Sequence, residues 1–413
     1  MNFGDRIKHF RTLNNHTQQE MAKGICSISY LSKIENNVVK PNEEIIELLC
    51  TKLNITKNEL ITEEELSQKM QTELMELSYL IRQKNPNVLS KYDEIIKRFS
   101  NLNSPQSELV KQVFGFRIAL YKNDGTKATF YYNEIIKNST YLPDWIDSYY
   151  NRFCGLYHYM YGNLEEAKFY YKKAEESTSI EEKEEIYYQL ALVYNKLREL
   201  GLSTFYLLQA HELFVKKMDY DSCTNCNMLL GINYRRMGEY QRAIETFKKI
   251  IQKPSPNTEV DLIGKAYHNL GLIYSDLRNS EKAISCYEES LKIKSHPELK
   301  VNTMYLLSKE YLLQIDRKNA IKWYKLGKEA ARKFKNEAYI IKFNVLHYEI
   351  LDLVKTSEYE HYMTNVAIPF FEKIKERQTL SEYVQKLTLY YESIRQYKKS
   401  YLLLKEVNNY EKD

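Results

Sequence analysis

"NMLLGINYRRMGEYQRAIETFKKI" (227–250) and "YHNLGLIYSDLRNSEKAISCYEES" (267–290) align without a gap, 40 residues apart. Leu230-Gly231 falls on Leu270-Gly271, Tyr234 on Tyr274, Ala243 on Ala283 and Phe247 on Tyr287. Self-similarity at a fixed period marks stacked units, each too small to bury its own apolar face. Upstream, "YYQLALVYNKL" keeps Ala191 and Tyr194 in the same register, and "NRFCGLYHYMYGNLEEAKFYYKKA" supplies Gly155, Ala167, Tyr171 and Ala174. Downstream, "YLLSKEYLLQIDRKNAIKWYKLG" supplies Ser308, Tyr311, Ala320 and Tyr324. Weaker copies carry Phe116, Ala128 and Tyr132 at one end and Leu387, Tyr391 and Ser400 at the other. The pattern is that of a helical hairpin. A small residue lets two antiparallel helices approach, a second small residue twelve positions later sits on the partner helix, and Tyr or Phe fills the gap between hairpins. Seven or eight hairpins are expected.

The first sixty residues read differently. "FGDRIKHFRTL" sets Ile7, Phe10 and Leu13 on one helical stripe, with cations on the others. Thr17 is a candidate N-cap with Glu20 as its capping-box partner. Gly24 falls where a tight turn between two helices would lie, and Ser27 can cap the next helix, "ISYLSKIENN". There Ile28, Leu31 and Ile34 could face inward, leaving Ser29, Tyr30, Ser32 and Lys33 outside. Pro41 suits the first turn of a further helix whose core side is Ile45, Ile46, Leu48, Leu49 and Leu53. Residues 1–40 carry six Lys and Arg against three Asp and Glu, whereas 41–66 are acidic, so the positive side is the side of "ISYLSKIENN".

This head resembles the Cro/repressor-like helix-turn-helix family in its Thr17-Gln18 start, Met21-Ala22 pair, "LSKIEN" segment and Pro41. In that family the third helix enters the major groove. The resemblance implies base contacts from Ile28, Ser29, Tyr30 and Lys33 and phosphate contacts from Gln18 and Ser32, with Ser27 at the mouth of the helix in the same DNA-facing set. The hairpins resemble the tetratricopeptide repeat, with a period of 36 to 40 residues instead of the usual 34. That implies an all-α chain: a helix-turn-helix domain over 1–61, a linker helix over 62–75, and a right-handed superhelix over 76–413 for peptide binding and oligomerisation. The first helix of each repeat would line a concave groove. Counting Gly231 as the eighth position, the inward positions include Arg152, Tyr188, Asn195, Asn225, Arg235, His268, Asn302 and Tyr305. Side-chain amides can pair with both N–H and C=O of a peptide backbone, and Arg can hold a carboxylate.

A repressor-type head followed by such repeats is similar to the peptide-pheromone receptors of Gram-positive bacteria, the Rap–Rgg–NprR–PlcR–PrgX family, and within it to the NprR and PlcR branch. The resemblance implies a cytoplasmic quorum-sensing transcriptional regulator. It would bind a double-stranded operator as a homodimer or tetramer and be switched by a short linear peptide. The alternative reading is a Rap-like regulator of a phosphorelay response regulator acting by protein–protein contact. A glutamine would then position water, with Gln68, Gln71, Gln83, Gln106 and Gln112 as candidates.

Other chemistry finds little support. The 413 residues carry a net charge of only +5, so any nucleic-acid surface must be local. Few Gly (12) and Pro (8) favour helices. Six scattered cysteines read as reduced thiols. "CTNCNM" pairs Cys223 with Cys226, yet no second pair exists to complete a zinc site. No Walker loop, G-x-G-x-x-G or H-E-x-x-H occurs, so neither cofactor, metal nor catalytic constellation is expected. No secretory h-region and no apolar run near ~18 residues is present, which points to a cytoplasmic protein without membrane contact.

Overall fold

The computed structural model describes residues 3–56, 63–83, 85–102, 104–138, 142, 144–252, 254 and 259–410. Among them every regular element is helical. The chain divides into two compact units, Met1–Thr178 and Ser179–Asp413.

The first unit opens with α1 (Phe3–Leu13), α2 (Gln18–Ala22), α3 (Ile28–Glu35) and α4 (Glu43–Leu53). The expected caps are in place. Thr17 and Glu20 form a reciprocal capping box, and the Ser27 Oγ accepts from the Tyr30 N–H at 3.1 Å. Gly24 turns the chain between α2 and α3 at φ +82°, a conformation costly for any side chain. Ile7, Met21, Ala22, Leu31, Ile34, Ile46, Leu49, Cys50 and Leu53 close one small core. Four expectations are corrected. Leu13 at the end of α1 and Leu48 on α4 are exposed, not inward. Ile28 is also exposed, because three-residue steps drift about 60° around a helix and only Leu31 and Ile34 reach the core. Pro41 precedes the helix, and Asn42 caps it by accepting from the Ile45 N–H at 3.0 Å.

Next come α5 (Glu63–Arg82) and α6 (Val88–Arg98). The stretch read as a linker helix, 62–75, runs without interruption from Glu63 into Arg82. Its Met70 and Leu74 share a core with Leu77, Ile81, Phe114 and Phe153. Hairpins follow: α7 (Pro105–Tyr121) with α8 (Gly125–Asn138), and α9 (Asp144–Met160) with α10 (Leu164–Glu176).

The second unit continues the pattern with α11 (Glu184–Lys196), α12 (Leu200–Lys216), α13 (Tyr220–Arg236), α14 (Tyr240–Gln252), α15 (Val260–Asp276), α16 (Ser280–Ile293), α17 (Val301–Leu313) and α18 (Arg317–Lys333). It ends with α19 (Glu337–Ile350), a partner split by a π turn at Met363–Ala367 into α20 (Ser357–Tyr362) and α21 (Ile368–Lys373), then α22 (Arg377–Ser393) and α23 (Tyr397–Tyr410).

The small residues act as their spacing foretold. The Ser203 hydroxyl donates to the Ala191 carbonyl, and the Ser308 hydroxyl to the Ala320 carbonyl, each at 2.8 Å across a twelve-residue step. Gly155 lies under the Tyr171 ring and Gly231 under the Phe247 ring. Each first helix stops on a left-handed residue, whether glycine (Gly162, Gly238) or not (Asn123, Arg198, Arg278, Ile315, Asp352, Arg395).

Candidate functional site

The reading face of the head is carried by α3. Ser29 and Lys33 stand exposed beside Ile28, while Tyr30 and Ser32 are half-buried and Ser27 is exposed at the cap. The helix is held from beneath by a buried ion pair. The Arg11 guanidinium donates to Glu35 at 2.6 and 3.0 Å and to the His16 carbonyl at 2.8 Å. Gln18 donates its amide to the same Glu35 carboxylate at 2.8 Å. Gln18, expected on phosphate, therefore braces α3 from α2. Arg11 leaves the local positive balance together with Glu35, so that balance is unchanged. Burying such a multiply hydrogen-bonded pair fixes geometry more than it stabilises.

The inward positions of the second unit form a polar ladder between successive first helices. The Asn195 amide of α11 donates to Asn233 of α13, and Arg236 returns to Asn195 at 3.1 Å. Arg235 makes a two-pronged bond to Asp276 of α15, at 2.8 and 3.4 Å. Ser275 bonds Glu310 of α17. The His268 Nδ1 meets the Thr303 hydroxyl at 2.9 Å, and Asn302 lies 3.3 Å from its Nε2. Burial, with Lys294 and Arg235 adding to it, holds His268 down to about 3, so the ring is neutral at ordinary pH.

Other inward residues fall out differently. His268 and Tyr305 are buried, so the structure corrects their reading as surface contacts. Tyr305 packs its ring against Tyr339 and Phe343 and is pushed well above 10 by burial. Tyr188 is half-buried, and Asn225 is exposed with no hydrogen-bond partner among the described residues. Arg152, in the first unit, lies 5.6 Å from the Tyr149 ring. Beyond Tyr305 the first helices are tied by charge: Lys309 reaches Glu382 at 3.0 Å, and Lys386 bridges Glu382 and Glu349 at 2.8 and 2.6 Å. Lys309 is one of the inward positions read from the sequence, whereas Glu349, Glu382 and Lys386 were not among them. In the ladder, Arg236 and Asp276 stand one residue past the twelfth position.

Cys223 and Cys226 are buried in α13, and burial pushes both thiols up, Cys223 to about 11. Among the described residues no cluster of His, Cys, Asp and Glu could hold a metal, and no helix is long and apolar enough to cross a membrane. The candidate glutamines are dispersed. Gln68, Gln83 and Gln106 are exposed, Gln71 is half-buried, and the Gln112 Oε1 is buried without a partner.

A helix-turn-helix family model matches residues 7–60, and two tetratricopeptide-repeat models match residues 227–258 and 264–297. Over 396 residues the chain is 32% identical to the transcriptional activator NprA of Geobacillus stearothermophilus, covering 92% of this chain and 95% of that one. The chain belongs to the NprA-type transcriptional regulators of the Rap–Rgg–NprR–PlcR–PrgX family. It is also 25% identical to response regulator aspartate phosphatase A of Bacillus subtilis over 224 residues, 52% of this chain and 58% of that one. Its fold is that of the apo quorum sensor NprR from B. thuringiensis, with a TM-score of 0.74 at 19% identity over 84% of this chain and 99% of that one. NprR in complex with its cognate peptide NprX gives a TM-score of 0.61 at 18% identity, over 83% of this chain and 99% of that one.

Proposed function

We propose that this chain is a cytoplasmic, DNA-binding transcriptional regulator that a short linear peptide switches from the inner face of its repeats. The reading assigns residues 1–61 to operator binding, 62–75 to the connection, and 76–413 to peptide binding and assembly as a homodimer or tetramer. The observation that carries it is the ladder of Asn, Arg, His and Ser side chains joining successive first helices. Asn195, Arg235, Arg236 and Asn302 bring amide and guanidinium donors to it at repeat spacing, the chemistry needed to hold a peptide main chain and a carboxylate. The solved NprR–NprX complex, on the same fold, supports a peptide as occupant.

The exposed side chains of α3 support operator contact by Ser29, Lys33 and Ile28, with Tyr30 at the margin. A two-fold protein is the natural reader of a two-fold operator. To act as a switch, the peptide must favour one arrangement by roughly 1–3 kcal/mol, a 5- to 150-fold change in DNA affinity.

The test is footprinting of the gene's own upstream region with the full chain, with and without short peptides encoded nearby. Ser29→Ala/Tyr30→Ala/Lys33→Ala should abolish specific protection, since each lost base contact costs about 1–3 kcal/mol. Asn225→Ala should weaken peptide binding in calorimetry and leave peptide-free protection intact. Protection by the triple variant at unchanged salt refutes the operator assignment. A peptide that binds a response regulator complex but never shifts DNA affinity favours the phosphorelay alternative.

A further inference from the structure

The outer helix α18, "RKNAIKWYKLGKEAARK", departs from the rest of the array in charge. Residues 317–335 hold eight Lys and Arg against one Glu, a balance of +7 in a chain whose total is +5. Local excess of this size defines a surface that whole-chain charge hides.

Four of these cations have no carboxylate partner. Among the described residues, Lys318, Lys322, Lys325 and Arg332 make no ion pair, whereas α10, α14 and α16 each pair at least one cation with a carboxylate three residues away, as in Lys168–Glu165, Arg242–Glu239 and Lys292–Glu289. All four are exposed. At 100° per residue they fall within an arc of about 80° and form a row about 21 Å long. Beside the row lies an open recess of about 490 Å³, bordered by Lys325, Lys328, Glu329 and Arg332. Its floor is the Tyr324 ring stacked on His347, centroids 4.9 Å apart. Lys328 is held over that floor, donating to the Tyr324 hydroxyl at 2.8 Å.

We propose that this face of α18 binds the phosphate backbone of double-stranded DNA without regard to sequence, as a second nucleic-acid surface apart from α3. A protein partner fits less well. Protein interfaces deplete lysine and build around an apolar centre, whereas nucleic-acid interfaces are strongly positive. Here the arc holds no exposed large apolar residue, since Leu326 falls about 40° beyond its edge, and Glu329 is the one carboxylate inside it. A duplex presents a phosphate per roughly 1.7 Å of axis, so a row this long meets several at once.

The experiment measures affinity of the full chain for a random-sequence duplex between about 50 and 200 mM salt, where each neutralised phosphate contributes a slope of about −0.9. Lys318→Gln/Lys322→Gln/Lys325→Gln should flatten the slope by about 2–3, making the loss over that range roughly 40-fold smaller. A control with the same net charge, Lys355→Gln/Lys373→Gln/Lys398→Gln, should keep the wild-type slope. All six lysines are exposed, so circular dichroism and melting should match wild type in both. Equal slopes for the two triple variants, or a wild-type chain that binds no random duplex at low salt, overturns the proposal. The operator reading fails separately. A chain that protects no operator yet shows the patch-dependent slope loses that reading and keeps this one, and operator protection with equal slopes does the reverse.

Discussion

Replacing Gly231 with alanine should destabilise the repeat domain, although alanine is the better helix former. A methyl group built on Gly231 meets the Phe247 ring at 2.6 Å, with two further ring atoms at 2.8 Å. Phe247 is fully buried between Ala243 and Ile250 of the same helix, so the ring cannot swing into solvent. Relief requires α13 and α14 to separate by several tenths of an ångström, or the ring to leave its rotamer. Overpacking of this kind costs about 1–3 kcal/mol. Alanine's helix preference returns about 0.5–1 kcal/mol. The net loss is therefore up to about 2.5 kcal/mol. Gly201 in α12 is the internal control, since a methyl group there meets nothing within 4 Å. Gly201→Ala should gain up to about 1 kcal/mol. One substitution type thus carries opposite signs at two helical glycines. Urea titration followed by circular dichroism reads both, comparing midpoints of the same transition because stacked repeats need not unfold in one step. A Gly231→Ala chain with a midpoint at or above wild type would refute the close-contact account, as would equal shifts in the two variants.

Two further substitutions probe the backbone and the buried charge. Ile315 holds φ +61° at the turn after α17 and is 83% exposed, so it bears left-handed strain without burying its side chain. Ile315→Gly should raise stability by about 0.5–1 kcal/mol, since the left-handed conformation costs a branched residue about 1–2 kcal/mol; an unchanged or lower melting temperature goes against this. Lys294 is buried, donating to the Leu299 carbonyl at 3.0 Å and the Thr303 hydroxyl at 2.8 Å. Burial first, then Lys265 and Lys300, bring it down to about 8 against a partial pull upward from Asp261. Between pH 8 and the ordinary lysine value the unfolded chain holds a proton that the folded chain lacks, so this group makes stability rise with pH by at most roughly 3 kcal/mol. Lys294→Met should lose that rise, and equal pH slopes in denaturant titrations of the two proteins would remove the assignment.

Much of the architecture was legible because it rests on local or strictly periodic signals. Thr17, Ser27 and Gly24 sit where their caps and turn lie, and the small residues at Gly155, Ala191, Gly231 and Ser308 mark the helix contacts. What escaped was fixed by neighbours distant in sequence. Asn195 and Asn233, Arg235 and Asp276, His268 and Thr303 are 35 to 41 residues apart, so a table of positions within one repeat cannot pair them. Arg11 looked like a free cation until Glu35, 24 residues on, came beneath it. Ile28 satisfied an inward and an outward reading at once, because a spacing of three does not match 3.6 residues per turn. The basic row on α18 was lost in an average: acidic stretches elsewhere brought the total to +5.

The ladder on the inner face has a consequence for how such a receptor can change over generations. Its side chains already hold one another, so a ligand laid along them exchanges bonds instead of filling vacancies, and selectivity becomes a difference between two nearly equal sets of contacts. Arg235 cannot be altered to suit a new ligand without also releasing Asp276 on the next helix. On the proposed reading, recognition and the packing of successive helices are thus written in the same residues. Drift toward a new signal must carry compensating changes about forty positions along the chain, and diverging receptors should differ in paired rungs, not in single groove residues.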